Sequence, residues 1–220
     1  RMRATDVVPF VPLAGATTED AVAAARTAAE RIWLEADVRT YLYGDAAHVA
    51  ARRNLSDVRG GQFEGIRASV ATDPERRPDF GDAAVHPTAG ITAVGARFFL
   101  IAYNVNLDTR DLAAAKTIAA AIREKNGGLP GVKALGFDLP EQGQVQVSMN
   151  LVDHRKTSPI EAFDEIARRA EAAGVPVACS ELVGLIPQAA CPDGFAERVK
   201  LLDFDPDAQI IERRLARAGA

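Results

Sequence analysis

The 220-residue chain has 48% hydrophobic and 25% charged residues, which is typical of a globular protein with enough apolar side chains for one or two compact cores. Its formal net charge of −4 disfavours nucleic acid as a partner, because phosphate binding needs clustered positive charge. The longest apolar run is far shorter than the roughly 20 residues of a membrane span, and no basic-then-apolar leader opens the sequence. We therefore expect no membrane association and a cytoplasmic location.

The first half of the chain predicts a βαβ unit. Alternation indicates a strand over 6–13, helical spacing indicates a helix from Thr17 to about Ala36, and a second strand follows over 38–43. Two such parallel strands in a split βαβ arrangement need an antiparallel strand between them, and no candidate is evident before residue 60.

We therefore expect the natural protein to extend upstream, since Arg1 lies too close to the first strand for another strand to precede it. Arg1 also precedes Met2, which is unlike a normal start. Residues 60–77, rich in glycine, arginine and proline, predict a connector of loops and short helices.

The second half alternates strands and helices in the order strand, helix, strand, strand, helix, strand. This order is that of the ferredoxin-like split βαβ fold, with both helices on one face of the sheet. The predicted elements are a strand over 98–107, a helix capped by Asp108 and ended by Asn126, strands over 132–137 and 144–151, a helix opened by Ser158–Pro159, a strand over 175–185, and a last helix from Asp205.

Several amides occupy strand positions in this half. In a ferredoxin-like sheet the first and third strands are antiparallel neighbours, which predicts that Asn104 and Asn106 lie near Gln144 and Gln146. Asparagine is depleted in strands, and an unpaired buried amide costs about 1 to 3 kcal/mol. Two interpretations stay open: the amides face water on the open side of the sheet, or they form the polar floor of a ligand cleft.

The segment from Gly90 to Gly95 has a glycine spacing close to that of a phosphate-binding P-loop. It lacks the Lys and Ser/Thr that contact phosphate and magnesium, and it precedes a strand where a P-loop precedes a helix. We therefore interpret it as a flexible link and predict no nucleotide site.

The three histidines are dispersed, so they predict no metal site. His48 follows "YLYGDAA" in an expected helix and suits a surface position, and His154 suits a solvated turn. His86 precedes Pro87 in an extended loop, where an imidazole could contact a ligand or serve no such role. Cys179 and Cys191 are too few and too far apart for a metal pair or a disulfide framework, so we expect both to be reduced.

Five blocks of sequence point to a known family: "RMRATDVVPFVPLAG", "YLYGDAA", "RPDFGDAAVHPTAGITAVGARFFLIAYNVNL", "VQVSMNLVDH" and "SELVGLIP". In this order, and over nearly the whole chain, they resemble the formiminotransferase domain. The resemblance implies an α+β protein of two ferredoxin-like subdomains, the first incomplete, over residues 1–96 and 97–220. It also implies transfer of a formimino group from N-formimino-L-glutamate to tetrahydrofolate, without a metal, by a homodimer.

The resemblance further implies where the substrates bind. The family's catalytic histidine lies shortly upstream of Arg1, so the chain as it stands is expected to run the reaction poorly. Because the substrates are anionic, Arg1, Arg3 or one of the basic pairs is expected to line the cleft, and Asn104 and Asn106 are the candidates for its floor. The family's folate site corresponds to Gly81, Asp82, Ala83, Ala84, Val85, His86, Pro87, Thr88, Ala89 and Gly90.

A second function remains open from the sequence. Ferredoxin-like units often bind small molecules without catalysing a reaction, and a fold alone does not assign a function. The alternative is therefore a non-catalytic ligand-binding module, which an upstream coding sequence without the expected histidine would favour.

Overall fold

A computed structural model of the chain describes residues 1–218. The protein is an α+β protein whose contacts divide it into two compact units, Arg1–Phe98 and the remainder from Phe99. Within residues 1–218, no helix is both long enough and apolar enough to cross a membrane.

The first unit is built on a three-stranded parallel sheet. The strand order is β1-β3-β2, so β3 lies in the middle and runs parallel to both neighbours. Its elements are β1 (Val7–Phe10), α1 (Thr18–Ala36), β2 (Arg39–Gly44), α2 (Leu55–Val58), α3 (Gln62–Ser69) and β3 (Ile91–Ala96).

Two predictions about this unit are wrong. The segment interpreted as a flexible link, Gly90 to Gly95, lies in β3 from Ile91 onward, and all residues of β3 are buried. The strand between β1 and β2 is β3, from further along the chain, and it is parallel rather than antiparallel. The expected extension of the natural protein upstream of Arg1 stays a prediction. The glycine spacing resembles that of a linker, but Gly95 lies inside the strand. Glycine is needed at this position because Tyr43 of β2 leaves no room for a Cβ atom.

Both faces of the first sheet are covered. On one face α1 packs through Ala21, Ala25 and Ala29 against Leu42 and Val94. On the other face, side chains from α2 and α3 form a second apolar cluster with the two tyrosines of β2. Its buried members are Met2, Tyr41, Tyr43, Val58, Ile66, Val70, Ile91 and Ala93. A parallel sheet covered on both sides explains why every residue of β3 is buried.

The second unit is built on a four-stranded antiparallel sheet of order β5-β6-β4-β7. Its strands are β4 (Ile101–Leu107), β5 (Val132–Leu139), β6 (Gln144–Leu151) and β7 (Val177–Val183). Its helices are α4 (Leu112–Ile122), α5 (Pro159–Ala172), α6 (Phe195–Arg198), α7 (Pro206–Gln209) and α8 (Ile211–Ala218).

The ferredoxin-like prediction for this unit is confirmed. Strands β4 and β6 are central and antiparallel, and α4 and α5 pack on the same face of the sheet. That face carries alternate residues of each strand, including Tyr103, Val105 and Val147, which are fully or almost fully buried. The alternating apolar pattern therefore set the register of the sheet, because a one-residue slip would expose the whole set.

Capping residues in the sequence predicted most helix ends to within a few residues of their observed positions. Ser158 and Glu161 form the expected capping box of α5, with Pro159 in its first turn. The start of α4 differs: Asp111, rather than Asp108, caps it by accepting a hydrogen bond from the Ala113 amide. The last helix is divided into α7 and α8 at Ile210, whose backbone is extended.

Candidate functional site

The loop from Gly81 to Gly90, which we call the 81–90 loop, is fixed at both ends by contacts within the first unit. At its start, Gly81 has φ +104° and lies against Arg39 and Trp33, where a Cβ atom would fall 2.7 Å from the Arg39 Cγ. Asp82 accepts a hydrogen bond from the Arg39 Nε, and this guanidinium lowers the pKa of Asp82. The Arg39 guanidinium also lies 4.8 Å from the Trp33 ring centroid.

At its other end, the loop closes on the start of the chain. The backbone groups of His86 and Gly90 exchange two hydrogen bonds, of 2.9 and 3.0 Å, which define a tight turn. Arg3 donates to the Pro87 carbonyl at 2.8 Å and pairs with Gly90 in an isolated antiparallel bridge. Because the ends are held in this way, the residues between them have a defined position.

His86 itself is partly buried and has a definite hydrogen-bonding state. Its Nδ1 accepts from the backbone amides of Ala89 at 3.0 Å and Thr88 at 3.3 Å. Both amides can only donate, so the neutral imidazole carries its proton on Nε2. The Nε2–H group is thus the donor that His86 can offer to a ligand.

The predicted amide pairing on the second sheet is confirmed for Asn106 and Gln146 but not for Asn104, which lies opposite Ser148. The structure also adds a residue that the sequence did not point to. Asn106 is paired with Gln146 in register, and the Gln146 Nε2 donates to the Asn106 Oδ1 at 2.9 Å. The carboxylate of Glu181, on β7, accepts from the Asn106 Nδ2 at 2.9 Å and from the Gln146 Nε2 at 3.3 Å. Alternation in β7 places Glu181 and Cys179 on the open face and Ser180 in the core. This alternation is the sequence feature that indicates on which face of the sheet Glu181 lies.

The open-face interpretation of the amides holds only in part. Asn150 is exposed and Asn104 is half-buried, whereas Asn106 is only 3% exposed and Gln146 only 8%. Asn106 therefore does not simply face water, and its hydrogen bonds to Gln146 and Glu181 offset the cost of burying its amide.

The remaining candidate residues lie elsewhere. Arg1 is exposed, and its α-amino group donates to the Gln62 side chain at 2.8 Å. His154 lies in the expected turn, whereas His48 lies in a bend before a short 3-10 helix rather than in a helix. Both cysteines are free, as expected. Within residues 1–218, no three His, Cys, Asp or Glu side chains are grouped so that they could hold a metal ion.

His48 belongs to a third polar cluster, around the buried carboxylate of Asp79. Asp79 accepts from the Arg52 guanidinium at 2.5 Å and from the Leu42 amide at 2.8 Å, and the His48 Nδ1 lies 3.6 Å from its other oxygen. Arg52 also donates to the carbonyls of residues 75 and 77. These contacts engage both terminal nitrogens of the Arg52 guanidinium as donors and join the 70–80 segment to β2. They indicate a structural role for the cluster.

Comparison with known proteins finds two successive domain matches along the chain. Residues 1–97 match the formiminotransferase domain, N-terminal subdomain, and residues 102–213 match the formiminotransferase domain. The chain is 44% identical over 215 residues to the glutamate formimidoyltransferase of Streptococcus pyogenes serotype M1, an alignment that covers 98% of this chain and 72% of that protein.

Two further relatives extend the comparison. The glutamate formimidoyltransferase of Thermoplasma acidophilum is 41% identical over 220 residues, covering 100% of this chain and 72% of that protein. The formimidoyltransferase-cyclodeaminase of Sus scrofa is 38% identical over 227 residues, covering 98% of this chain and 41% of that protein. The two domain matches occur in order and together span most of the sequence, so the chain belongs to the formiminotransferase family.

Proposed function

We propose that this chain acts in the transfer of a formimino group from N-formimino-L-glutamate to tetrahydrofolate, which yields 5-formiminotetrahydrofolate and glutamate. The observation that carries the proposal is the match of both formiminotransferase domains, in order, together with 41–44% identity to two glutamate formimidoyltransferases over 98% or more of the chain.

The chemistry of this transfer requires proton movement. The N5 amine of tetrahydrofolate attacks the formimino carbon and loses a proton, while the bond from that carbon to the glutamate nitrogen breaks and the nitrogen gains a proton. A group that titrates near neutrality is suited to both steps, and imidazole is the usual choice. The C–N bond formed, the C–N bond broken and the two proton transfers balance without an oxidant or reductant, and the proposal includes no metal.

We assign folate binding to the 81–90 loop. Three features support the assignment. The loop is held at both ends, the backbone N–H and C=O groups of residues 86–90 lie close together in its turn, and His86 presents its Nε2–H as a donor. A rigid loop with a few placed polar groups is the arrangement that orients a small ligand.

Trp33, the single tryptophan of the chain, provides a test because it packs against Gly81. Tetrahydrofolate bound at the loop should change the fluorescence of Trp33 in a saturable titration. His86→Asn keeps an acceptor near the Thr88 and Ala89 amides but removes the Nε2–H donor, so it should weaken binding about fivefold to tenfold.

The matched control is His154→Asn, since His154 lies in a turn of the second unit. Calorimetry with Trp33→Phe measures tetrahydrofolate binding without using fluorescence. It therefore shows whether the fluorescence change reflects binding or only absorption of light by the ligand. The assignment is wrong if His86→Asn and His154→Asn bind tetrahydrofolate as tightly as the unmodified chain does. The proposed function itself is wrong if the unmodified chain binds neither tetrahydrofolate nor N-formimino-L-glutamate.

We also propose that the protein is a homodimer located in the cytoplasm. Dimerisation follows from the resemblance to the family, and sedimentation velocity tests it. The location is supported by the two free thiols, which are typical of a reducing compartment. Fractionation of cells that express the tagged protein tests the location.

A further inference from the structure

Glu181, Asn106 and Gln146 form a cluster on the open face of the second sheet, which we call the amide–carboxylate cluster. Each carboxylate oxygen of Glu181 accepts one hydrogen bond from one of the two amides. The amides are joined by the bond between Gln146 and Asn106. Three strands thus hold one carboxylate in a fixed orientation.

This carboxylate retains unused binding capacity. A carboxylate has about four acceptor positions, two on each oxygen, and the two amides use one position on each. Glu181 is half-buried, so the remaining positions are open to a ligand. Two parallel N–H donors, one for each oxygen, would occupy the remaining acceptor positions of the carboxylate.

Glu181 also lacks a counter-charge. Among residues 1–218, no Lys, Arg or His side chain is within salt-bridge distance of it. Its two protein partners are neutral amides. Placing a carboxylate in a half-buried site without a cation costs free energy, and a cationic or strongly donating ligand would recover that cost.

An aromatic surface lies beside the cluster. Phe137 on β5 is directly opposite Gln146 in the ladder and therefore shares its face of the sheet, with 47% of the residue exposed. Exposed Leu135 lies two residues away on the same face. A flat ligand bound to Glu181 through its edge would thus have an apolar surface to pack against.

We propose that Glu181 is a specificity-determining residue that binds a planar N–C–N pair of donors, one N–H to each carboxylate oxygen. This inference rests on the proposed function, whose two substrates both carry such a pair. One is the formimino group, an amidine that is protonated at neutral pH, and the other is the edge of the pterin ring formed by N3–H and the 2-amino group. The cluster matches the chemistry that the two share.

Acetamidinium is a probe of the site that does not depend on the reaction. In the ¹⁵N-labelled chain, it should shift the side-chain amide signals of Asn106 and Gln146 in a saturable way. Tetramethylammonium, which has the charge but no N–H group, should leave these signals unchanged. Glu181→Gln should weaken acetamidinium binding roughly tenfold or more, because a charge-assisted pair of hydrogen bonds is lost.

Glu171→Gln on α5 is the matched control, because Glu171 is exposed on a helix and the chemical change is the same. Thermal melting checks that Glu181→Gln is folded. If it is not, Glu181→Asp replaces it: this variant keeps the charge but withdraws it by one methylene, and it should also weaken binding. The inference is overturned if acetamidinium leaves the two amide signals unchanged, or if the Glu181 and Glu171 variants bind it equally well.

The two substrates then identify the natural ligand. A selective loss of N-formimino-L-glutamate binding in Glu181→Gln, with N-formyl-L-glutamate unaffected, assigns the site to the formimino group. A selective loss of tetrahydrofolate, with its 2-desamino-2-methyl analogue unaffected, assigns it to the pterin edge. Unchanged binding of both substrates overturns the inference while the proposed function stands. Binding of acetamidinium but of neither substrate leaves the donor-pair site in place and refutes the proposed function.

Discussion

Gly90 links the 81–90 loop to the beginning of the chain through its backbone alone. It has φ +78°, and a Cβ atom at this position would lie 2.2 Å from the Met2 carbonyl oxygen. Met2 itself is fully buried in the first unit. The glycine is thus needed both for its backbone conformation and for the close approach of two chain segments.

Gly90→Ala should therefore destabilise the first unit by about 2 kcal/mol or more, since it combines left-handed backbone strain with a steric clash. Gly15→Ala is the matched control: Gly15 has φ +88°, but a Cβ atom there would meet nothing within 4 Å, so only the backbone cost of about 1 kcal/mol applies. Urea unfolding of both variants measures the difference. Equal destabilisation would show that the contact with Met2 contributes nothing.

At the scale of a single element, α5 is stabilised by a carboxylate shared between two arginines. Glu165 lies 2.8 Å from the Arg168 guanidinium and 2.6 Å from that of Arg169, at helical spacings of three and four residues. These contacts lower the pKa of Glu165 to about 2, with the Arg168 hydrogen bond as the largest cause and burial opposing it.

The resulting pH dependence has a definite sign. The folded-state pKa of Glu165 is lower than its ordinary value of 4.5, so its contribution is complete above about pH 4.5 and disappears as the pH falls toward 2. Glu165→Gln should cost about 1 kcal/mol at pH 7, a modest value because the arginines are solvent-accessible, and nothing near pH 2. Denaturant unfolding across this pH range measures the difference, and a constant difference would refute the role of the charge.

At the scale of the whole molecule, the first unit depends on contacts between distant parts of the chain. Strands β1 and β2 each pair with β3, which begins more than 45 residues after β2 ends. Since a parallel pair needs a crossover connection, β1 and β2 gain their shared partner strand only when the chain has passed residue 96.

A fragment of residues 1–90 should therefore remain unfolded, whereas residues 1–98 should fold with a cooperative thermal transition. The reason is that the shorter fragment leaves β1 and β2 without a hydrogen-bonding partner in the sheet and removes Ile91, Ala93 and Val94 from its two apolar clusters. Circular dichroism and amide NMR spectra of the two fragments test this. A folded 1–90 fragment would contradict the sheet order as the basis of the unit's stability.

The candidate site was predicted in part, and the parts that were missed share a cause. Asn106 and Gln146 were expected to be neighbours because both lie on strands with clear alternation in a recognisable strand order. Glu181 was missed because alternation in β7 indicates only which face it lies on, whereas its hydrogen bonds cross the sheet to β4 and β6. The packing of Trp33 and Arg39 against Gly81 and Asp82 was missed for the same reason.

The sequence alone determined the α+β class, the ferredoxin-like order of the second unit, the capping of α5 and the family, since periodicity, caps and contiguous sequence blocks are local properties. The tertiary structure alone decided that Ile91–Ala96 is the central strand of the first sheet and that Glu181 is held by two amides. The physical reason is that an apolar strand between glycines resembles a linker until its partners are known. In the same way, the setting of a carboxylate depends on side chains that only folding brings into contact with it.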